Sequence, residues 1–181
     1  MKYALYILLL CQYFGALGQT TTSVNVSITM PSVALIDILP AGGTNVMLSM
    51  TAPAEAGNAV NAGTSNSSNW LIFTSAVASG ASRSIRGDLV GTLPAGVALK
   101  LQVAPYVGSG QGFTGGNSAV TSNTYLTNVP TTFISNIRGA YTGNTYGSSG
   151  FKLTYSLEIQ NYANIKSGST SVTVRYTMAD N

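Results

Sequence analysis

The sequence predicts an all-β protein, an antiparallel β-sandwich, and three observations support this fold class. Apolar and polar residues alternate with a period of two along most of the chain after Ser23, as in strands with one buried face. No segment after residue 18 shows the sustained i, i+3, i+4 apolar spacing of an amphipathic helix. Loops rich in Gly, Asn and Ser separate the alternating segments. Many short strands without helical crossovers favour a sandwich over a barrel or an α/β fold.

Eight segments carry the strand pattern. In the first, residues 24–30, apolar side chains alternate with Asn and Ser or Thr, and Pro31 ends the run. The second, VALIDIL over 33–39, is denser in apolar residues. The remaining predicted strands cover residues 46–51, 70–74, 97–103, 131–137, 153–159 and 172–178.

The first 18 residues have the features of a cleavable signal peptide. A basic Lys2 precedes an apolar run over 3–14, and Ala16-Leu17-Gly18 fits the small-x-small pattern of a cleavage site. The run is shorter than the ~20 apolar residues that a membrane-spanning helix needs. We therefore expect a signal peptide over 1–18, a single β-sandwich domain over 19–181, and no membrane span after cleavage.

Charged and catalytic side chains are scarce. The chain has 8 Lys and Arg, 5 Asp and Glu and no His, so that 7% of its residues are charged, against about 25% in an average soluble domain. Its one cysteine, Cys11, lies in the predicted signal peptide. This composition excludes histidine-based acid–base chemistry, histidine or cysteine metal sites, thiol catalysis and electrostatic binding of nucleic acid. We expect no catalytic residue, no cofactor and no metal, and a protein that is not an enzyme.

The carboxylates do not form a catalytic pair by spacing. A glycosidase needs two of them on either side of one bond. Two of the five lie inside predicted strands, and one lies next to the last residue. They are Asp37, Glu55, Asp88, Glu158 and Asp180. The sequence therefore favours isolated surface or edge carboxylates.

The tripeptide Arg86-Gly87-Asp88 matches an integrin-recognition motif. An adhesive tripeptide is expected on an exposed loop, whereas Ile85, Leu89 and Val90 around it read as a strand. We interpret the match as part of a strand, and the sequence leaves open whether solvent reaches it.

Three of the predicted loops are long: residues 52–68, 105–123 and 139–150. Loops of this length are usually functional or mobile, and because strand patterning resumes after each, none is interpreted as a domain boundary. The tetrapeptide Leu-Pro-Ala-Gly occurs twice, at 39–42 and 93–96. A duplicated half-domain would explain the repeat, but one turn used twice is favoured, since Pro presets one φ and Gly permits a positive φ.

Aromatic residues concentrate around the second and third of these loops, residues 105–123 and 139–150. Exposed rings among amide and hydroxyl groups are what sugar binding uses, because ring faces stack and polar side chains bond the hydroxyls. The favoured interpretation is that these rings cap the core at the loop roots, which leaves glycan binding as an alternative. The candidate glycan contacts are Trp70, Tyr106, Tyr125, Tyr141 and Tyr146.

The two end segments are candidates for assembly. Either strand can pair within its own molecule or add to a neighbour's open sheet edge, where main-chain hydrogen bonds and alternate side-chain pockets stabilise it. Two ordinary edge strands of a monomer are the more common outcome. The candidate assembly residues are Val24, Val26, Ile28 and Met30 in the first segment and Val172, Val174, Tyr176 and Met178 in the last.

The chain ends resemble the pilin-like, fimbrial β-sandwich subunits of bacteria. The resemblance rests on the signal peptide, the alternating segment SVNVSITM, the following strand with its proline, and the closing segment YANIKSGSTSVTVRYTM at 162–178. It implies an immunoglobulin-like or pilin-like sandwich that polymerises by strand donation.

A weaker resemblance is to the WxL cell-wall-binding domain. The end of the chain, residues 174–180, reads strand-Tyr-x-Met-acidic, and Trp70-Leu71-Ile72 stands for the family's earlier motif. Both resemblances imply a secreted β-domain on a bacterial surface.

We therefore expect a secreted, extracellular or cell-surface structural or adhesive protein, a filament or matrix subunit that assembles by edge-strand pairing. Its partners would be copies of itself or other surface proteins, and not nucleic acid. Low charge supports this expectation, because charged residues are the usual means of blocking edge-to-edge pairing. The alternative is a monomeric β-sandwich module that binds glycan or cell-wall polysaccharide.

Overall fold

The computed structural model describes residues 21–41, 45–113, 118–119 and 122–181. The chain divides at Pro31 into two units, Met1–Met30 and Pro31–Asn181. All ten strands of the described residues belong to the second unit. The predicted signal peptide, its cleavage site and Cys11 lie outside the described residues.

The strands form two antiparallel sheets. Their bounds are β1 Val33–Leu39, β2 Asn66–Ala76, β3 Arg83–Val90, β4 Val97–Val103, β5 Ser118–Ala119, β6 Thr124–Tyr125, β7 Thr131–Ile137, β8 Ala140–Tyr141, β9 Phe151–Ile159 and β10 Thr173–Asp180. The six-stranded sheet has the order β1-β2-β9-β4-β6, with β8 also paired to β2. The four-stranded sheet has the order β10-β3-β7-β5. No α-helix occurs in the described ranges, which contain one 3-10 turn at Tyr162–Asn164.

One hydrophobic core lies between the two sheets, the arrangement of a β-sandwich. On β2, β4 and β9 it is built from alternate residues, because successive side chains of a strand point to opposite faces. On β7 the register with β3 shifts, and the consecutive residues Phe133 and Ile134 are both buried. The six-stranded sheet contributes Leu71 and Phe73 of β2, Leu101 and Val103 of β4, and Phe151, Leu153 and Tyr155 of β9. The four-stranded sheet contributes Ile85 and Leu89 of β3 and Phe133, Ile134 and Ile137 of β7. The predicted fold class is thus confirmed as all-β, antiparallel and two-layered.

Two predicted strands are absent. Residues 24–30 and 46–51 carry no strand, apart from an isolated bridge between Thr51 and Asn61. Val46 and Leu48 nevertheless pack against the core while Met47 is 80% exposed. Alternation in this segment therefore reflects one buried side of an extended chain. It does not require a hydrogen-bonded neighbour.

The two Leu-Pro-Ala-Gly segments differ in structure. At the second, Val97 N donates to Pro94 O at 3.2 Å, Gly96 has φ +80°, and β4 follows directly. A side chain at position 96 would collide with Asn161 O, 2.2 Å from an added Cβ. At the first, the Leu39–Pro40 bond is cis and Gly42 lies outside the described residues.

Candidate functional site: the open edges of the sandwich

β10 is an edge strand of the four-stranded sheet, paired with β3 in unbroken register from Thr173↔Val90 to Asp180↔Arg83. Two hydrogen bonds show which way its backbone groups point. Leu89 N donates to Thr127 O at 2.8 Å, on the side of β3 away from β10. Beyond the other end, Asn181 N donates to Ser82 O at 3.0 Å.

Because backbone groups of successive residues point to opposite sides of a strand, both bonds give the same result for β10. Thr173, Arg175, Thr177 and Ala179 face β3, and Val174, Tyr176 and Met178 direct their N–H and C=O groups to the open side. Within the described ranges, no strand pairs with β10 on this side and no other backbone hydrogen bond reaches it. β1 of the other sheet nevertheless lies close to β10. An edge of this kind is a template for pairing with another chain.

The side chains of Val174, Tyr176 and Met178 are half-buried and pack against the core. The Tyr176 hydroxyl lies 2.7 Å from that of Tyr155 on β9, so the pair joins the two sheets. Burial raises the pKa of both hydroxyls above the ordinary 10.0, and for Tyr176 the proximity of Tyr155 raises it further.

β1 is an edge strand of the six-stranded sheet, opposite the short β6, and its open side is partly closed. Thr142 N donates to Phe73 O at 3.0 Å on the β8 side of β2, so the groups of Ile72 and Thr74 face β1. By the same alternation, Ile36 and Ile38 direct their backbone groups to the open side of β1. The Ile38 N–H, however, already donates to Asp37 Oδ1 at 2.7 Å. A charged side chain thus occupies this edge, a known means of preventing strand addition.

Arg83 connects both edge strands. Its Nε is 2.6 Å from Asp180 Oδ1 at the end of β10, and its Nη1 donates to Val33 O at the start of β1. Nη2 donates to Ser32 Oγ at 3.1 Å, and Nη1 also reaches Ala76 O at 3.2 Å. Because the side chain is buried and makes several charge-assisted bonds, it holds the two sheets together at this corner.

Residues 21–30 carry the other candidate assembly residues. Val24, Val26, Ile28 and Met30 are 82%, 76%, 82% and 84% exposed. The segment has no strand assignment. Its apolar side chains therefore have the alternation of a strand without the burial of one.

The integrin-like tripeptide lies within β3. Asp88 is 2% exposed, and its carboxylate receives two bonds from Arg175 of β10, Nε–Oδ1 at 3.1 Å and Nη2–Oδ2 at 2.5 Å. This pairing raises the pKa of Arg175. A Cβ on Gly87 would stand 3.0 Å from the Phe133 ring. The glycine and the carboxylate thus have structural roles, as the strand interpretation expected.

Two of the candidate glycan contacts are engaged inside the molecule. Trp70 is 9% exposed on β2, in register with Leu39 and Lys152. The Tyr106 ring stacks on Phe113 with centroids 3.8 Å apart, and its hydroxyl accepts from Gly110 N at 2.6 Å and donates to Thr142 O at 3.0 Å. Tyr106 stabilises the root of its loop.

The other three tyrosines are exposed but do not converge. Tyr125 lies on β6, at the edge of the six-stranded sheet opposite β1. Its hydroxyl donates a hydrogen bond to Glu158 Oε1 at 2.9 Å, and Lys100 Nζ lies 4.9 Å from its ring centroid. Tyr146 donates to Ser68 O at 2.9 Å, near the start of β2.

Tyr141 pairs with Thr74, six residues beyond Ser68 and so about 20 Å along the strand. It lines a shallow surface cleft with Thr74, Ser75 and Gln111. A sugar ring could stack on Tyr141 there, but no second exposed ring of the three adjoins it.

Within the described part of the chain, no three His, Cys, Asp or Glu side chains come together. No helix in those residues is long and apolar enough to span a membrane.

Comparison with known proteins yields no match to any protein-family model, any curated protein or any solved structure. The sequence did not predict the contacts of Arg83 with both edge strands or the bond from Ile38 N to Asp37. It did contain a sign of them, since Arg83 and Asp37 are among the few charged residues and both fall in or beside strands.

Proposed function

We propose that this protein is a secreted structural or adhesive component of a bacterial surface, a filament or matrix subunit that assembles by edge-strand pairing. The observation that carries the proposal is the state of residues 24–30. Four apolar side chains at alternate positions are more than three-quarters exposed. Burying a Val, Ile or Met side chain stabilises by about 1.5–3 kcal/mol. A chain that leaves four of them in solvent therefore gains substantially from a partner surface.

The charge distribution supports the same function. No residue from 20 to 36 is charged, so nothing in the exposed segment opposes its entry into a sheet. Alternation also suits strand addition, in which every second side chain enters a pocket while the main chain supplies hydrogen bonds. The sandwich offers an unpaired edge on β10 to receive such a strand.

A matched pair of variants tests the proposal. Val26→Asp places a charge on the apolar side of the segment, and Asn25→Asp places the same charge one residue earlier on the polar side. We expect the secreted chain to form oligomers in analytical ultracentrifugation, Val26→Asp to be monomeric, and Asn25→Asp to assemble almost normally. Deletion of residues 20–30 should act like Val26→Asp, because the core lies in the other unit. Unchanged oligomers after the deletion, or a monomeric parent protein, would overturn the proposal.

The second candidate function is a monomeric glycan- or cell-wall-binding module. The cleft beside Tyr141, with the amide of Gln111 and the hydroxyl of Thr74, is the feature that favours it. Retention of the monomer on insoluble polysaccharide, lost in Tyr141→Ala but kept in Tyr162→Ala, would decide for this function. Tyr162 is a suitable control because it is similarly exposed, 51% against 45%, and lies outside the cleft.

A further inference from the structure

We infer that the acceptor for residues 24–30 is the open side of β10 in a second copy of the chain, and not the open side of β1. This inference rests on the proposed assembly function and names the partner surface. It follows from a difference between β1 and β10, the two long edge strands; the opposite edges of the sheets are the two-residue strands β6 and β5.

The β10 edge is ready to pair. Val174, Tyr176 and Met178 present three N–H and three C=O groups to the open side, and the described residues supply none of them with a partner. Eight residues of β10 match the seven residues of the exposed segment in length. A strand added here continues a sheet whose register from β10 to β3 has no bulge.

The β1 edge is not equally ready. Its Ile38 N–H is already bonded to Asp37 Oδ1, so an incoming carbonyl would have to displace a charged acceptor. The Asp37 carboxylate would also lie against the added main chain, where its desolvation opposes binding. β1 is therefore protected at the Ile38 N–H, one of the groups on its open side, and β10 has no such protection at Val174, Tyr176 and Met178.

The side chains of β10 also favour addition of residues 24–30 at this edge. The residues whose backbone groups face the open side of β10 also direct their side chains toward the core, where they are only half-buried. Ile36 and Ile38 of β1 are likewise half-buried against the same core. A strand on the β10 edge would extend this apolar surface with Val26 and Ile28, whereas Asn25, Ser27 and Thr29 would remain on the outer face with Arg175 and Thr177.

Disulfide trapping between differently tagged copies tests the assignment. One copy carries Ser27→Cys, and the other carries Thr173→Cys or Thr177→Cys on β10, or Leu35→Cys on β1 as the matched control. All four positions are exposed, and Cys11→Ser in every copy removes the native thiol. Neighbouring strands bring Cβ atoms within about 4.5–5.5 Å, which a disulfide can span.

We expect the mixed disulfide to form several-fold more with a β10 position than with Leu35→Cys. A product mainly with Leu35→Cys, or polymers without either product, would overturn the β10 assignment while leaving assembly intact. If the parent protein is monomeric at every concentration, the proposed function itself fails. Ultracentrifugation of the same samples separates these two failures.

Discussion

Arg83 Nε lies 2.6 Å from Asp180 Oδ1, and this contact joins the first residue of β3 to the last residue of β10. The two partners differ in their surroundings, since the Arg83 side chain is 8% exposed and that of Asp180 is 80% exposed. The aspartate alone therefore contributes little, as exposed ion pairs usually do. Most of the stabilisation must come from the bonds that Arg83 makes to Val33 O, Ala76 O and Ser32 Oγ.

Replacement of Arg83 should therefore destabilise the sandwich strongly. In Arg83→Met the buried carbonyls of Val33 and Ala76 lose a charged donor, and we expect a loss of about 2–4 kcal/mol in the free energy of unfolding. Arg83→Lys should recover only part of it, because one ammonium cannot reproduce the forked geometry. Urea denaturation at neutral pH measures both. The control is Arg86→Met, an exposed position on the same strand, which should change stability by less than about 0.5 kcal/mol.

Gly87 is required by packing and not by its backbone angle. An added Cβ would stand 3.0 and 3.2 Å from two atoms of the Phe133 ring, and that ring is buried at 1% exposure. Because the neighbour cannot move freely, Gly87→Ala should cost about 1–3 kcal/mol. Gly139→Ala provides the control, since nothing lies within 4 Å of its added Cβ. Thermal unfolding of the two variants checks the difference. Equal melting temperatures would contradict the packing role.

Side-chain periodicity could predict much of this fold. The predicted bounds of β1, β4 and β7 coincide with the observed ones, because Pro or Gly lies within two residues of both ends of each strand. β3 was not predicted as a complete strand, since Arg83, Arg86 and Asp88 interrupt its apolar pattern. Two of these charges are accommodated by partners 97 and 87 residues away, Asp180 and Arg175, and no local pattern contains that information.

Periodicity also predicted strands that do not form. Residues 24–30 alternate as regularly as β10, but alternation reports only which side chains favour burial, and a strand also needs a hydrogen-bonded neighbour. The same alternation did predict that Val174, Tyr176 and Met178 lie in a strand. The sequence could not predict which edge is open, because this depends on the order of the strands in each sheet and on one side-chain bond, from Ile38 N to Asp37.

The hydroxyl pair of Tyr155 and Tyr176 should make the protein sensitive to alkaline pH. The folded pKa of each is raised above the unfolded value of about 10, so the unfolded state loses its protons first as the pH rises. Stability from the pair is therefore complete below pH ~10 and declines above it, by about 1.4 kcal/mol per pH unit for each group.

Two measurements test whether the protein loses stability as the pH rises above about 10. Urea denaturation at pH 8 and pH 11 should show the alkaline loss, and the loss should be smaller in the double variant Tyr155→Phe/Tyr176→Phe. Tyrosinate absorbance should show that these two rings ionise only when the chain unfolds. The exposed Tyr162 makes Tyr162→Phe the control, which should leave the alkaline loss unchanged. Equal losses in parent and double variant would contradict the prediction.

The bond from Ile38 N to Asp37 Oδ1 predicts how edge protection can be removed. Asp37→Ala abolishes both the charge and the acceptor, leaving the Ile38 N–H open on the β1 edge. Asp37→Asn abolishes the charge but keeps a side-chain oxygen that can accept the same bond. If occupation of the N–H protects the edge, Asp37→Ala should associate more than Asp37→Asn, and both should exceed the parent protein. Light scattering during dilution from a common stock measures the order. The parent chain and both variants are made with residues 20–30 deleted, so that association through the β1 edge is observed alone. Equal scattering from all three chains would show that Asp37 does not protect β1, and the preference for the β10 edge would then rest on the β10 backbone groups alone.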